Sequence, residues 1–235
     1  MKITFQSFNI QHGRNFITKQ IDLPKMSETI ALCGSDIVAL NEVYGNGTGE
    51  LFIGQANEIA KPLGLFSHFE KAIDLKSGEY GNAILSRFPI ISLETQKVHA
   101  RRIYPEYYED RSIINALVDI GGRNIRLIVT HMGLAKNERS QAVTKILAMI
   151  AASAEPVVLM GDFNMTPDDK LIRKLRTKLQ DCESAIKGDA LTFPSDTPKE
   201  KIDYIFLSKE FKILSAAVPE YIAADHRTIV CEAEI

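Results

Sequence analysis

Short apolar runs that each hand over to a polar or charged side chain recur along this chain, and they restrict its fold more than any other feature. Ile3-Thr4-Phe5-Gln6-Ser7-Phe8-Asn9 alternates apolar and polar residues and ends on Asn9. Ile37-Val38-Ala39-Leu40 delivers Asn41 and Glu42, Ile125 through Thr130 delivers His131, and Ile202 through Leu207 carries Asp203 near its beginning. Runs of this length, bounded by turn-forming residues, read as buried strands. Polar groups at their carboxyl ends are where an α/β sheet presents a site. Taken singly, Glu42 reads equally as a capping or surface acid, and a strand-end histidine as a structural hydrogen-bonding residue. The recurrence favours a site.

The strongest segment is Val157-Val158-Leu159-Met160-Gly161-Asp162-Phe163-Asn164. Its four leading apolar residues lie between Pro156 and Gly161 and read as a buried strand, with Gly161 allowing the backbone to turn. Strand alternation predicts Asp162 and Asn164 on one side and Phe163 on the other. A carboxylate beside an amide can orient a water and hold a phosphoryl oxygen, because one accepts protons and the other donates hydrogen bonds. The bland alternative is a strand followed by an Asp/Asn turn.

The chain has 235 residues, enough for one substantial core and too few for two full domains with a linker, so residues 1–235 read as a single domain. Helices are predicted from Pro24 to Cys33, stopped by Gly34, from Glu50 to Ala60, and from Asn137 to Ser153, the last with Ala142, Ile146, Met149 and Ile150 on its apolar face. Ile113 to Ile120 and Ile125 to Thr130, joined by Gly-Gly-Arg-Asn, form a hairpin, which makes the sheet mixed. Such runs, alternating with helices, suit two mixed β-sheets packed face to face with helices outside.

Asn9, Glu42, His131, Asp162, Asn164, Asp203, Asp225 and His226 together contain what metal-assisted cleavage of a phosphate ester requires. Carboxylate and carbonyl-type oxygens select a hard ion such as Mg²⁺ or Mn²⁺. Zinc is disfavoured, since the five histidines are scattered at 12, 68, 99, 131 and 226 and no CxxC or HExxH occurs. An Asp paired with His226 raises its pKa and presents a cation to phosphate. Glu79, just before Gly81-Asn82, can orient His131, although it reads better as a solvated loop acid.

The formal charge of -2, from 28 Lys plus Arg against 30 Asp plus Glu, gives no broad footprint for nucleic acid. The best local patch is Arg101 through Arg111, where arginines can hold phosphates and tyrosines, Tyr104 among them, can stack on a base or sugar; covering the sheet is the competing role for Tyr107 and Tyr108. Three scattered cysteines form neither a metal spacing nor a disulfide framework, and Cys33 and Cys231 read as small buried hydrophobes. No leader or membrane-spanning run is evident, so the expectation is a cytoplasmic monomer without membrane insertion.

The segments SFNIQHG, LNEV, EYGNAILSRFPI, EDRSIINALVDI, THMGL, GDFNMTP, LTFPS, IDYIFLS and ADH, in this order and spacing, resemble the endonuclease/exonuclease/phosphatase superfamily over nearly the whole chain. The resemblance implies a four-layer α/β sandwich. It implies that Glu42 binds a catalytic divalent cation with Asn9 beside it and Asp225 in support, and that Asp162 and Asn164 orient the attacking water and contact the phosphate. Asp203 would orient His226, which stabilises developing charge. His131 would act as general acid, and Asn82 and Arg111 would face the site. THMGL resembles the deoxyribonuclease and sphingomyelinase branches. The chain departs from the family in having Ala224 where Ser-Asp-His is usual. It also has no tryptophan, which disfavours the apurinic-site endonucleases.

The expectation is therefore a Mg²⁺- or Mn²⁺-dependent phosphoesterase hydrolysing a phosphodiester, in nucleic acid or in a lipid or small-molecule head group, by direct water attack. Either Asp162 or a metal-bound hydroxide is compatible as base. A phosphomonoesterase of inositol-phosphatase type and a non-catalytic phosphate-binding module remain as alternatives. A serine hydrolase is excluded by the missing Gly-x-Ser-x-Gly elbow.

Overall fold

The computed structural model describes residues 1–99 and 109–235. In chain order its main elements are β1 (Lys2–Asn9), α1 (Leu23–Cys33), β2 (Ile37–Gly47), α2 (Gln55–Ala60), β3 (Phe66–Leu75), β4 (Gly78–Ser86), β5 (Ile90–Val98), β6 (Arg111–Asp119), β7 (Asn124–His131), α3 (Lys136–Ala152), β8 (Val157–Asp162), α4 (Lys170–Arg176), β9 (Gln180–Asp181), β10 (Asp203–Leu207), β11 (Lys212–Ala217) and β12 (Ile229–Glu234). Two six-stranded sheets result, with strand orders β11-β12-β1-β2-β4-β3 and β5-β6-β7-β8-β10-β9. Each is mixed, and the third and fourth places in each are taken by its parallel pair, β1 with β2 and β7 with β8. A parallel pair needs a crossover, and α1 and α3 supply the two.

Pleating sorts the side chains into layers. Ile3, Phe5, Ile37, Ala39 and Ile84 of the first sheet meet Ile114, Ala116, Leu127, Val129, Val158, Met160 and Ile205 of the second. On the outer face of the first sheet, Phe8, Val38 and Leu40 pack under Met26 and Ile30 of α1 and Ile59 of α2. On the outer face of the second, Ile128, Leu159, Phe163 and Phe206 pack under Ile146 of α3 and Ile172 of α4. The result is the four-layer α/β sandwich.

The same alternation places the polar residues. Stepping by two along β1 leads from Phe5 through Ser7 to Asn9; along β2, from Ala39 to Asn41; along β7, from Val129 to His131; along β8, from Met160 to Asp162. The inter-sheet face is therefore apolar for most of its length and turns polar at one edge. Register aligns these ends: Asn9 pairs with Asn41, His131 with Asp162, and Asp203, opening antiparallel β10, with Asp162.

Several boundaries differ from the sequence expectation. The second helix begins at Gln55, not Glu50, because the preceding stretch forms a turn in which Ile53 bridges back to Asn46 and Gly54 takes a left-handed conformation. The second strand continues through Asn41 and Glu42 to Gly47, absorbing them as a bulge between Leu40 and Val43. Cys33, at the end of α1, is only half-buried, whereas Cys182 and Cys231 lie in the inter-sheet core. Glu79 is part of β4 and ion-pairs with Lys71 at 3.6 Å, so it is not a loop acid. No described helix is long and apolar enough to cross a membrane.

Gly161 has φ +146°, and a Cβ there would lie 1.8 Å from the Thr130 carbonyl oxygen of the adjacent strand. Gly161→Ala is expected to lower unfolding free energy by about 3 kcal/mol or more. Urea denaturation checks this.

Candidate active site

At the polar edge, amide side chains join the two sheets. Asn41 lies in the gap, fully buried. Its Oδ1 accepts the Asp162 N–H at 2.9 Å, and its Nδ2 donates to the Thr130 carbonyl at 3.1 Å and to Asn82 Oδ1 at 2.8 Å. Asn82 in turn donates to Ser112 Oγ at 3.3 Å. These bonds make Asn82 a brace within the protein. Asn9 Nδ2 donates both to Glu42 Oε1 and to Asp162 Oδ2, each at 3.1 Å. Asn41, read in the sequence only as the neighbour of Glu42, is the residue that fixes the site's frame.

Asp162 lies where these groups converge. Its Oδ1 accepts the Asn164 N–H at 2.8 Å, and its Oδ2 lies 3.4 Å from His131 Nε2 and 3.7 Å from His226 Nε2. Burial and the nearby Asp203 charge raise its pKa, partly offset by His226. His226 Nδ1 is 2.8 Å from Asp203 Oδ2. Burial alone would lower the His226 pKa, but the charges of Asp203 and Asp162 override it and push it up to about 10. His131 has the opposite fate: burial, Arg111 and His226 hold it well below its usual value. Arg111 Nη1 stands 3.3 Å from His131 Nδ1, so the neutral ring accepts there. The two histidines thus flank one carboxylate in different charge states.

Two non-glycine residues at the site have left-handed backbones, Glu42 at φ +58° and Asn164 at φ +49°. Such conformations persist where surroundings over-determine them. Asn164 does not continue the pleat beyond Asp162, as alternation predicted; a turn returns it to the same side. There its Nδ2 donates to the Met132 carbonyl at 2.7 Å, 3.2 Å from His131 Nε2, while its own carbonyl accepts Arg139 Nη1 at 2.6 Å. The stretch before β10 braces the last motif. Ser195 Oγ donates to the Ala224 carbonyl at 2.6 Å, Ser195 N–H to the Asp225 carbonyl at 2.7 Å, and Arg227 N–H to the Thr192 carbonyl at 2.7 Å. Thr192 and Ser195 belong to LTFPS, one of the segments that carry the family resemblance, which marked them without indicating these brace roles. Tyr104 lies outside the described residues.

The donor set fits a hard divalent cation. Asp203 Oδ1 and Asp225 Oδ1 are buried without a hydrogen-bond partner, a costly state for carboxylate oxygens unless a cation or water completes them. Asp162, Asp203 and His226 offer ligand atoms within 4.8 Å of one another, a grouping distinct from the Asn9, Glu42 and Asp225 set expected from the sequence. His131 and His226 meet at one carboxylate, so distance along the chain does not itself disfavour zinc. The preponderance of oxygen donors does.

In metal-free protein, His226 is expected to stay cationic at pH 8, since its folded pKa exceeds the usual 6.5. Its ion pairing therefore stabilises the fold fully below about pH 6.5 and ceases to as pH rises through about 10. Asp203→Asn should lower this pKa by at least about 1 unit, and imidazole ¹⁵N NMR titration reads the shift. An unchanged titration would contradict the pairing.

Comparison with known proteins agrees with this architecture. The uncharacterized protein YbhP of Escherichia coli (strain K12) is 25% identical over 239 residues, covering 91% of this chain and 87% of its own. The structure of an endonuclease/exonuclease/phosphatase from Beutenbergia cavernae superposes with a TM-score of 0.82 at 18% identity, covering 100% of this chain and 72% of that one. That of a mannosyl-6-phosphatase from Bacteroides thetaiotaomicron superposes with a TM-score of 0.82 at 16% identity, covering 99% of this chain and 100% of its own. The model of the Endonuclease/Exonuclease/phosphatase family matches residues 7–226, from the strand that ends in Asn9 to His226 itself, and the chain belongs to that family.

Proposed function

We propose that this chain is a divalent-cation-dependent phosphoesterase that hydrolyses a phosphodiester by direct attack of water. One observation carries the reading: the Asp162 carboxylate has a neutral histidine and a cationic histidine within 4.0 Å of one oxygen. Paired titratable groups whose environments drive their pKa values apart assign acid and base roles.

Glu42 with Asn9, supported by Asp225, are the residues proposed to hold Mg²⁺ or Mn²⁺. When bound, such an ion polarises a phosphoryl oxygen and offsets charge in an in-line displacement. Asp162 is the base that takes the water's proton, since its raised pKa brings it nearer neutral pH than an ordinary carboxylate. Asn164 holds a phosphoryl oxygen. His226, fixed by Asp203, supplies a standing positive charge where negative charge develops. His131 starts neutral. A bound phosphate anion raises its pKa, and His131 can then give a proton to the leaving oxygen. Arg111, beside it, contacts the same phosphate.

The THMGL segment that carries His131 supports the phosphodiester reading. A phosphomonoester is the second reading, favoured by the structural likeness to a protein described as a mannosyl-6-phosphatase.

With Mg²⁺ or Mn²⁺, hydrolysis of bis-p-nitrophenyl phosphate is expected to exceed that of p-nitrophenyl phosphate, and EDTA should abolish both. Asp162→Asn and His226→Ala should each lower kcat/KM by about a hundredfold or more, roughly 2.7 kcal/mol. Preference for the monoester would favour the second reading. Retained phosphate binding without turnover in the wild type would make the chain a binding module.

A further inference from the structure

A group of aromatic side chains borders Glu42 and takes no part in the chemistry above. His12, three residues past Asn9, stacks on Tyr44, two residues past Glu42, with ring centroids 4.8 Å apart and planes 21° apart. Phe52 lies against Tyr44 at 4.4 Å with planes 30° apart. Tyr44 contacts both His12 and Phe52 and is the middle ring of a short column. Tyr80 flanks Tyr44 at 6.0 Å with planes 59° apart. All four rings are partly exposed.

The column is built and not incidental. Gln55, fully buried, accepts the Tyr44 N–H at 3.0 Å and donates to the His12 carbonyl at 2.8 Å, tying the two ring-bearing segments together. Three glycines make room for Phe52: a Cβ on Gly47, Gly49 or Gly78 would lie 2.9, 2.9 or 2.3 Å from it. His12 itself has a left-handed backbone, φ +48°, a conformation uncommon outside glycine and held here by its surroundings.

We propose that the His12 end of this column is a subsite for a nucleobase carried by the phosphate ester. The inference rests on the phosphoesterase reading and narrows its substrate class. Aromatic rings stack on the planar π-surface of any base, whereas a sugar offers no such surface. Tyr44 follows the proposed metal acid Glu42 by two residues and His12 follows Asn9 by three, and Asn9 bonds Glu42, so a ring resting on the column belongs to a ligand whose phosphate lies at Glu42 and Asp162.

The test is calorimetric titration of the wild type in Mg²⁺ with adenosine 5′-monophosphate and with ribose 5-phosphate, which differ only in the base, while phosphate release is followed in parallel. Adenosine 5′-monophosphate is expected to bind about tenfold tighter. His12→Asn, which keeps a residue tolerant of the left-handed backbone but removes the ring, should bring the ratio close to one and leave ribose 5-phosphate unchanged. Tyr44→Ala, which removes the middle of the column, should do the same. Equal wild-type affinities, or a preference that survives both variants, would overturn the subsite alone. Failure of the wild type to bind either phosphate would overturn the phosphoesterase reading along with it.

Discussion

The arrangement depends on one buried amide. Asn41 bonds the Asp162 N–H and the Thr130 carbonyl of the opposite sheet with the two ends of a single side chain. The apolar layer between the sheets is non-directional and would tolerate small slips. An amide whose donor and acceptor are both committed in a dry gap does not, because any slip leaves polar groups unpaired. Asp162 and His131 follow directly on those two bonded groups, so the register of the site is set where the core ends.

From that frame the electrostatics follow. Asp162, Asp203, His131 and His226 are buried together, and they cannot all adopt their solution states. His226 resolves its burial by pairing with Asp203 and stays charged; His131, facing Arg111, stays neutral; Asp162, between them, is pushed toward protonation. The fold is common to the family, and what distinguishes one member's chemistry from another's lies in groups such as these.

Much of this was legible in the sequence because pleat parity carries across a strand: a chain with Phe5, Ser7 and Asn9 at alternate positions places Asn9 beyond the core if Phe5 is in it. The apolar runs therefore located His131, Asp162 and Asp203 as well. What escaped had no periodic signature. The Asn41–Glu42 bulge depends on the partner strand β4, and the left-handed turn at Asn164 depends on Met132 and Arg139, both distant in sequence. Asn82 was expected to face the site, and its bonds to Asn41 and Ser112 could not be read from the sequence, because an amide's partners are settled by the other sheet. The helix read from Glu50 was cut short by the bridge from Ile53 to Asn46, a contact that helical propensity does not register.

The measurement that bears most directly on this account is kcat for folded Asn41→Ala enzyme, with folding verified by circular dichroism. If Asn41 aligns the acid and the histidines across the two sheets, kcat falls by about tenfold or more, in keeping with the sensitivity of catalysis to small misplacements, although Asn41 touches no substrate. A folded variant turning over at the wild-type rate would contradict it.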